Sequence, residues 1–204
     1  MKIIGLTGPS GSGKSMLCER LESLGIPCID TDRVYHGIVS RPTPCTRELR
    51  ERFGDAVIAP DGSLDRAALS AMVFGSEDSP KNLSDLNAIT HKYVFEETRA
   101  LLDEFESRGK AAAVIDAPAL FSSPTFVDAC DIIISVLADR ELRVQRIMGR
   151  DGIGNDRARA RIDAQPRDSF FIENSTYTVM NNGSREELCE QLLSILTQED
   201  IYPK

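Results

Sequence analysis

The run Gly8-Pro9-Ser10-Gly11-Ser12-Gly13-Lys14-Ser15 constrains this chain more than any other stretch. It fits G-x-x-x-x-G-K-[ST], and its flanks have the required form. Lys2-Ile3-Ile4-Gly5-Leu6-Thr7 reads as a short buried strand, and Met16 to Leu24 reads as a helix. A strand that feeds a glycine-rich turn opening a helix brings backbone N–H groups together around a phosphate, with no Cβ in the way. The helix N-terminus adds partial positive charge. Lys14 is expected to reach the outer phosphates of a nucleotide held by Gly11, Ser12, Gly13 and Lys14, and the Ser15 hydroxyl to sit on Mg²⁺.

The rest of the chain agrees with such a fold. Strand-like runs at 2–7, 26–29, 111–115, 131–136 and 176–180 alternate with helical patterns at 14–24, 31–39, 44–53, 65–74, 82–107, 139–149, 155–165 and 184–197. That alternation predicts an α/β fold, a phosphate-loop NTPase-type parallel sheet flanked by helices. Residues 40–108 read as helices only, a helical substrate-binding insertion between two parts (1–39 and 109–204) of a nucleotide-binding core in a single domain. Gly25 and Gly109 are placed to end helices, Asp61-Gly62 to turn, and Ser184 with Glu187 to cap the last helix.

Charge and cysteine use narrow the partners. A net charge of −8 leaves no basic surplus for general nucleic-acid binding. The five cysteines form no C-x-x-C pair, and the chain shows neither a signal peptide nor an apolar run of membrane-spanning length. The expectation is a cytoplasmic protein of reduced thiols, monomeric by default, without a membrane partner.

Three constellations carry chemistry. Ile29-Asp30-Thr31-Asp32 ends the second strand at the edge where parallel sheets bind ligands, so one carboxylate can take a proton from an attacking hydroxyl and the other can orient Mg²⁺ through water. Helix capping is the competing reading of both aspartates. Asp116 ends the apolar run Ala111–Ile115, the usual form of a second acid that holds the metal or its waters. From Arg140 to Arg167 the chain is rich in arginine around the glycines of Gly152-Ile153-Gly154. Arg146, Arg150 and Arg161 are the expected phosphate contacts on a lid at 150–165, whereas Arg140, Arg157 and Arg159 fit a salt-bridged surface. His36 and His91 have no second ligand at metal spacing.

The order of segments resembles the dephospho-coenzyme A kinase family over nearly the full length. The resemblance rests on Gly5–Gly8 with Gly11–Ser15, Leu24–Asp32, Phe53-Gly54, Asp61–Arg66, Asn87–His91, Asp116–Phe121, Arg150-Asp151, Ala160–Gln165 and Val179–Gly183. It implies ATP-dependent phosphorylation of the ribose 3′-hydroxyl of dephospho-CoA, the last step of coenzyme A formation. Asp32 would be the base, and Lys14 and Arg150 catalytic partners. Met16, Arg146 and Asn182 would lie with the nucleotide. Asp32, Arg66, His91 and Arg161 would contact the acceptor, and Ser15 and Asp116 the metal. The chain departs from the family pattern at Pro9-Ser10 (usually Gly-Ile), Met16 (Thr), Lys92 (Pro) and Ser122 (an acid). The alternatives are another small-molecule kinase, for a nucleoside, nucleotide or sugar, and a non-catalytic ATP-dependent regulatory protein.

Overall fold

Five strands form one sheet in the order β2-β3-β1-β4-β5, with β1 Lys2–Thr7, β2 Cys28–Asp30, β3 Ala112–Asp116, β4 Ile132–Leu137 and β5 Tyr177–Met180. In this computed structural model, residues 1–75 and 78–201 are described. β1 pairs in parallel with β3 (Leu6 opposite Asp116) and with β4, and β4 pairs in parallel with β5. All six residues of β4 are buried, as expected of a strand covered on both faces. The chain separates into two units, Met1–Ile29 with Glu104–Lys204 and Asp30–Asp103.

In the first unit, helices α1 (Lys14–Ser23) and α10 (Arg185–Gln198) share a core with the sheet. Leu17 and Leu21 of α1 meet Leu188, Leu192 and Leu196 of α10, all at 1% exposure or less, beside Ile4, Leu6 and Ile134. Ser184 and Glu187 form the expected capping box. Gly25 ends α1 with φ +80°, and the Ile26 N–H donates to Leu21 O at 3.0 Å. That bond uses Ile26 to close the helix, so β2 begins two residues later than the apolar run. Two helices have no counterpart among the expected elements: α6 (Pro124–Asp128) and α9 (Asp168–Asn174), each too short to show a helical period. Between α6 and α9 lie α7 (Arg140–Asp151) and α8 (Asn155–Asp163), joined through Gly152 at φ +63° and packed by Val144, Ile147, Ala158 and Ile162.

The second unit contains α2 (Thr31–Val39), α3 (Pro44–Phe53), α4 (Arg66–Phe74) and most of α5 (Ser79–Ser107). Its core is Leu49, Phe53, Val57, Leu69, Val73 and Ile89 with their neighbours. One antiparallel bridge, Ile58 with Leu64, spans the Asp61-Gly62 turn and adds a strand-like contact to a region expected to be helical only. Helix α5 runs unbroken through His91 and Lys92. Lysine at 92 keeps a backbone N–H that proline would lack inside the helix. No helix among the described residues is long and apolar enough to cross a membrane.

Candidate active site

The loop after β1 holds its shape because glycine occupies its crowded positions. Gly13 has φ +91°, and a Cβ there would collide with the Asn181 side chain; Gly8 has φ +149°, and a Cβ there would collide with the Val136 carbonyl of β4. Asn181, 1% exposed, directly follows β5 and donates from Nδ2 to Ser12 O at 2.7 Å. The loops that follow the first and fifth strands thus meet at one glycine. The Ser12 hydroxyl is buried and meets no hydrogen-bond partner among the described residues. A cradle of this form, with an orphaned hydroxyl inside it, fits the phosphates of a nucleotide.

Electrostatics point the same way. Helix α1 starts at Lys14 with Gly13 as its N-cap, no side-chain cap and no acid in its first turn. A cation there opposes the helix dipole, an unfavourable placement that an anion relieves. Arg146 donates to Gly11 O and Ser12 O, each at 3.3 Å, and to Asn181 O at 3.0 Å. Among the described residues its acceptors are all carbonyl or amide oxygens, so its charge under the loop is unneutralised. Arg143 is 3% exposed and donates to Ser10 O at 3.0 Å and to Asp168 at 3.2 Å. Burial pulls both guanidinium groups below the usual arginine value.

At the end of β3, Asp116 is ion-paired with Lys14 and accepts from the Cys18 thiol at 3.2 Å. The Ser15 side chain is exposed one residue beyond Lys14. Oxygen donors of this type suit Mg²⁺, which takes one or two protein ligands and fills its shell with phosphate and water. No group of three acids, histidines or cysteines at metal-binding distance occurs among the described residues. Met16 is half-buried against the core, with its N–H on Gly13 O at 3.1 Å.

Arg150 and Arg161 converge on one acid. Arg150 grips Asp151 through Nε at 2.7 Å and Nη2 at 3.0 Å, and Arg161 pairs with the same carboxylate. The hydrogen bond from Arg150 holds the Asp151 carboxyl below its usual range. Asn182 accepts from the Asp139 N–H at 2.8 Å and donates to the Asp139 carboxylate at 2.9 Å, so its amide is engaged at both ends. Arg140 and Arg159 form surface pairs with Asp163 and Glu141, as expected of a salt-bridged surface.

In the second unit Asp30 is a cap: its carboxylate accepts from Asp32 N and Arg33 N at 2.9 and 3.1 Å. Asp32, in the first turn of α2, leaves its side chain exposed. Arg66 opens α4 and is exposed. His91 is half-buried, and burial pushes its imidazole below the usual value. A cavity of about 450 Å³ is lined by Val34, Ile38, Arg41, Tyr93, Glu96 and Leu101 among others, but by neither Arg66 nor His91. Lys92 pairs with Glu48 at 3.2 Å, which also accepts from Tyr93 at 2.6 Å. The Ser122 hydroxyl donates to Ala119 O at 2.7 Å.

Sequence reasoning singled out Arg146 but passed over Arg143 and Asn181. The i, i+3 spacing of Arg143 and Arg146 on α7 was a usable sign that both face the loop. Nothing local distinguishes Asn181 from Asn182.

Comparison with known proteins fits this arrangement. The family model for dephospho-CoA kinase matches residues 2–187. The dephospho-CoA kinase of Corynebacterium glutamicum is 37% identical over 195 residues, covering 96% of each chain. Among solved structures, TT1252 of Thermus thermophilus superposes with a TM-score of 0.77 at 31% identity, covering 97% of both chains. The dephospho-CoA kinase of Campylobacter jejuni gives 0.70 at 22% identity and 98% coverage of both, a likeness of fold. A lysine-bearing phosphate cradle backed by unneutralised arginine, matched to one family model from the first strand into the last helix, leaves one conclusion: this chain belongs to the dephospho-CoA kinase family.

Proposed function

We propose that this chain transfers the terminal phosphoryl group of ATP to the ribose 3′-hydroxyl of dephospho-CoA, giving CoA and ADP. The observation that carries the reading is Lys14 at the head of α1, in a glycine cradle underlain by the unneutralised charge of Arg146. The cradle N–H groups bind the phosphates, and Lys14 exchanges Asp116 for a phosphate oxygen and offsets charge that builds in the transition state. Ser15 and Asp116 would hold Mg²⁺, which would supply neutralisation of phosphate charge. Arg150 and Arg161 leave Asp151 for the phosphates as the lid at 150–165 closes, and so exclude water that would compete with the acceptor. Asp32 accepts the hydroxyl proton or orients that hydroxyl, with Arg66 and His91 as acceptor contacts; these three assignments follow the family pattern. A cytoplasmic setting and a monomer go with this reading, and five cysteines outside any disulfide suit a reducing compartment.

The test is ADP release from ATP and Mg²⁺ with and without dephospho-CoA, with CoA identified by mass. The expected result is acceptor-dependent ADP matched one for one by CoA, reduced by roughly 10²-fold or more in Lys14→Ala. ATP binding with no stimulation by dephospho-CoA, but stimulation by another hydroxyl compound, would overturn the acceptor assignment.

A further inference from the structure

Ser10, at the crest of the phosphate loop, has all three of its polar groups taken up by two distant side chains. Its N–H donates to Gln165 Oε1 at 3.0 Å, and its hydroxyl accepts from Gln165 Nε2 at 3.1 Å. Its carbonyl accepts from Arg143 Nε at 3.0 Å, and Arg143 Nη2 reaches the same Gln165 oxygen at 3.3 Å. Both ends of one amide therefore grip one loop residue, and a buried guanidinium grips both partners.

Gln165 is tied just as firmly to α8. Its N–H donates to Ile162 O at 3.1 Å, and Pro166 follows, which restricts its backbone further. The residue that holds the loop crest is thus the last fixed point of the helix that carries Arg161. The hydroxyl half of this lock belongs to this chain, because Ser10 stands where the family pattern has isoleucine.

We propose that Gln165 is a positioning residue for the triphosphate: through Ser10 it sets the shape of the phosphate loop and joins it to α8, so that loop and lid respond to polyphosphate as one body. This rests on the reading that ATP binds at the loop. Loss of the amide frees the Ser10 N–H and hydroxyl together and leaves the buried Arg143 one acceptor short, which loosens the loop without touching an acceptor contact. Glutamate at 165 preserves both bonds, because its carboxylate accepts from the N–H and from the hydroxyl, which turns from acceptor to donor.

The experiment measures ATP affinity by calorimetry, initial rates against both substrates, and Tm, on the full chain. Gln165→Ala is expected to weaken ATP binding roughly fivefold or more, with the KM for dephospho-CoA within about twofold and Tm within a few degrees. Ser10→Ala is expected to weaken it about two- to threefold, and Gln165→Glu to stay within about twofold of the parent. The double variant should lose less than the product of the two single losses, since the two side chains share one bond. ATP affinity unchanged in Gln165→Ala, or a fully multiplicative double variant, overturns the proposal while the parent's ATP binding keeps the functional reading. If Gln165→Ala does not fold, unchanged ATP affinity in Ser10→Ala overturns it instead. A parent chain that binds no ATP overturns both.

Discussion

Lys14 and Asp116 neutralise one another across the end of the sheet, with side chains only 16% and 13% exposed. The lysine that should meet phosphate is already paired, so a nucleotide has to displace a carboxylate to engage it. Breaking a pair this sheltered costs more than breaking one at the surface. Replacing Asp116 by Asn removes the competitor and, with it, an oxygen ligand suited to Mg²⁺. The expected outcome has opposite signs: metal-free ADP binds several-fold more tightly, while turnover falls and more Mg²⁺ is needed for half-maximal rate. Calorimetry with and without Mg²⁺, beside a Mg²⁺ titration of the rate, checks both halves.

Gly13 makes a second prediction. Alanine there must adopt φ +91° and drive its methyl into the Asn181 amide. The left-handed backbone alone costs about 1–2 kcal/mol, and displacing Asn181 strips Ser12 O of its shorter hydrogen bond, with the 3.3 Å one from Arg146 remaining. Gly13→Ala should therefore lower Tm and nearly abolish nucleotide affinity together. Asn181→Ala, which clears the space, should recover part of the stability in the double variant but not the affinity. Thermal melts of the single and double variants decide this.

For Asp32 the expected signature is a split. If its exposed carboxylate handles the acceptor hydroxyl, Asp32→Asn lowers kcat on the order of 10²- to 10⁴-fold, and leaves ATP affinity and Tm near the parent values. Its neighbour behaves otherwise. Asp30→Ala removes the cap of α2 and should cost about 1 kcal/mol of stability. Equal losses in kcat and ATP affinity for Asp32→Asn would mark it as structural too.

His91 gives a pH dependence with a definite sign. Burial lowers its folded value from the ordinary 6.5. Below that ordinary value the unfolded chain takes up a proton that the folded chain resists, so the unfolded state binds more protons. Stability therefore falls as pH drops through the mid-sixes and is unaffected by this group above neutrality. Between about pH 7.5 and about pH 5.5 the parent should lose more Tm than His91→Gln. Parallel Tm curves for the two would remove His91 as the cause.

Much of this is legible in the sequence, and the exceptions share a cause. The phosphate loop, the parallel sheet and the capping box at Ser184 are local patterns, carried by glycine spacing, apolar runs and a four-residue cap. Asp30 as a cap and Asp32 as an exposed acid could not be separated, because an aspartate suits either role. Arg143, Asn181 and Gln165 stayed hidden as loop supports because their partners lie 133, 169 and 155 residues away, and no local pattern encodes such a pairing. Helices α6 and α9 escaped because five and seven residues do not complete two turns.

The contact between Asn181 and Gly13 has a temporal meaning. A ribosome delivers Ser12 of the phosphate loop 169 residues ahead of Asn181, at about 5–20 residues per second. During those seconds the loop lacks the side chain that backs its tightest glycine, the arginines of α7 arrive late, and Gln165 later still. A nascent chain is therefore expected to have no competence for ATP until the fifth strand has emerged and docked. The phosphate loop becomes useful long after it is made, and the nucleotide, once captured, reports that the fifth strand is in place.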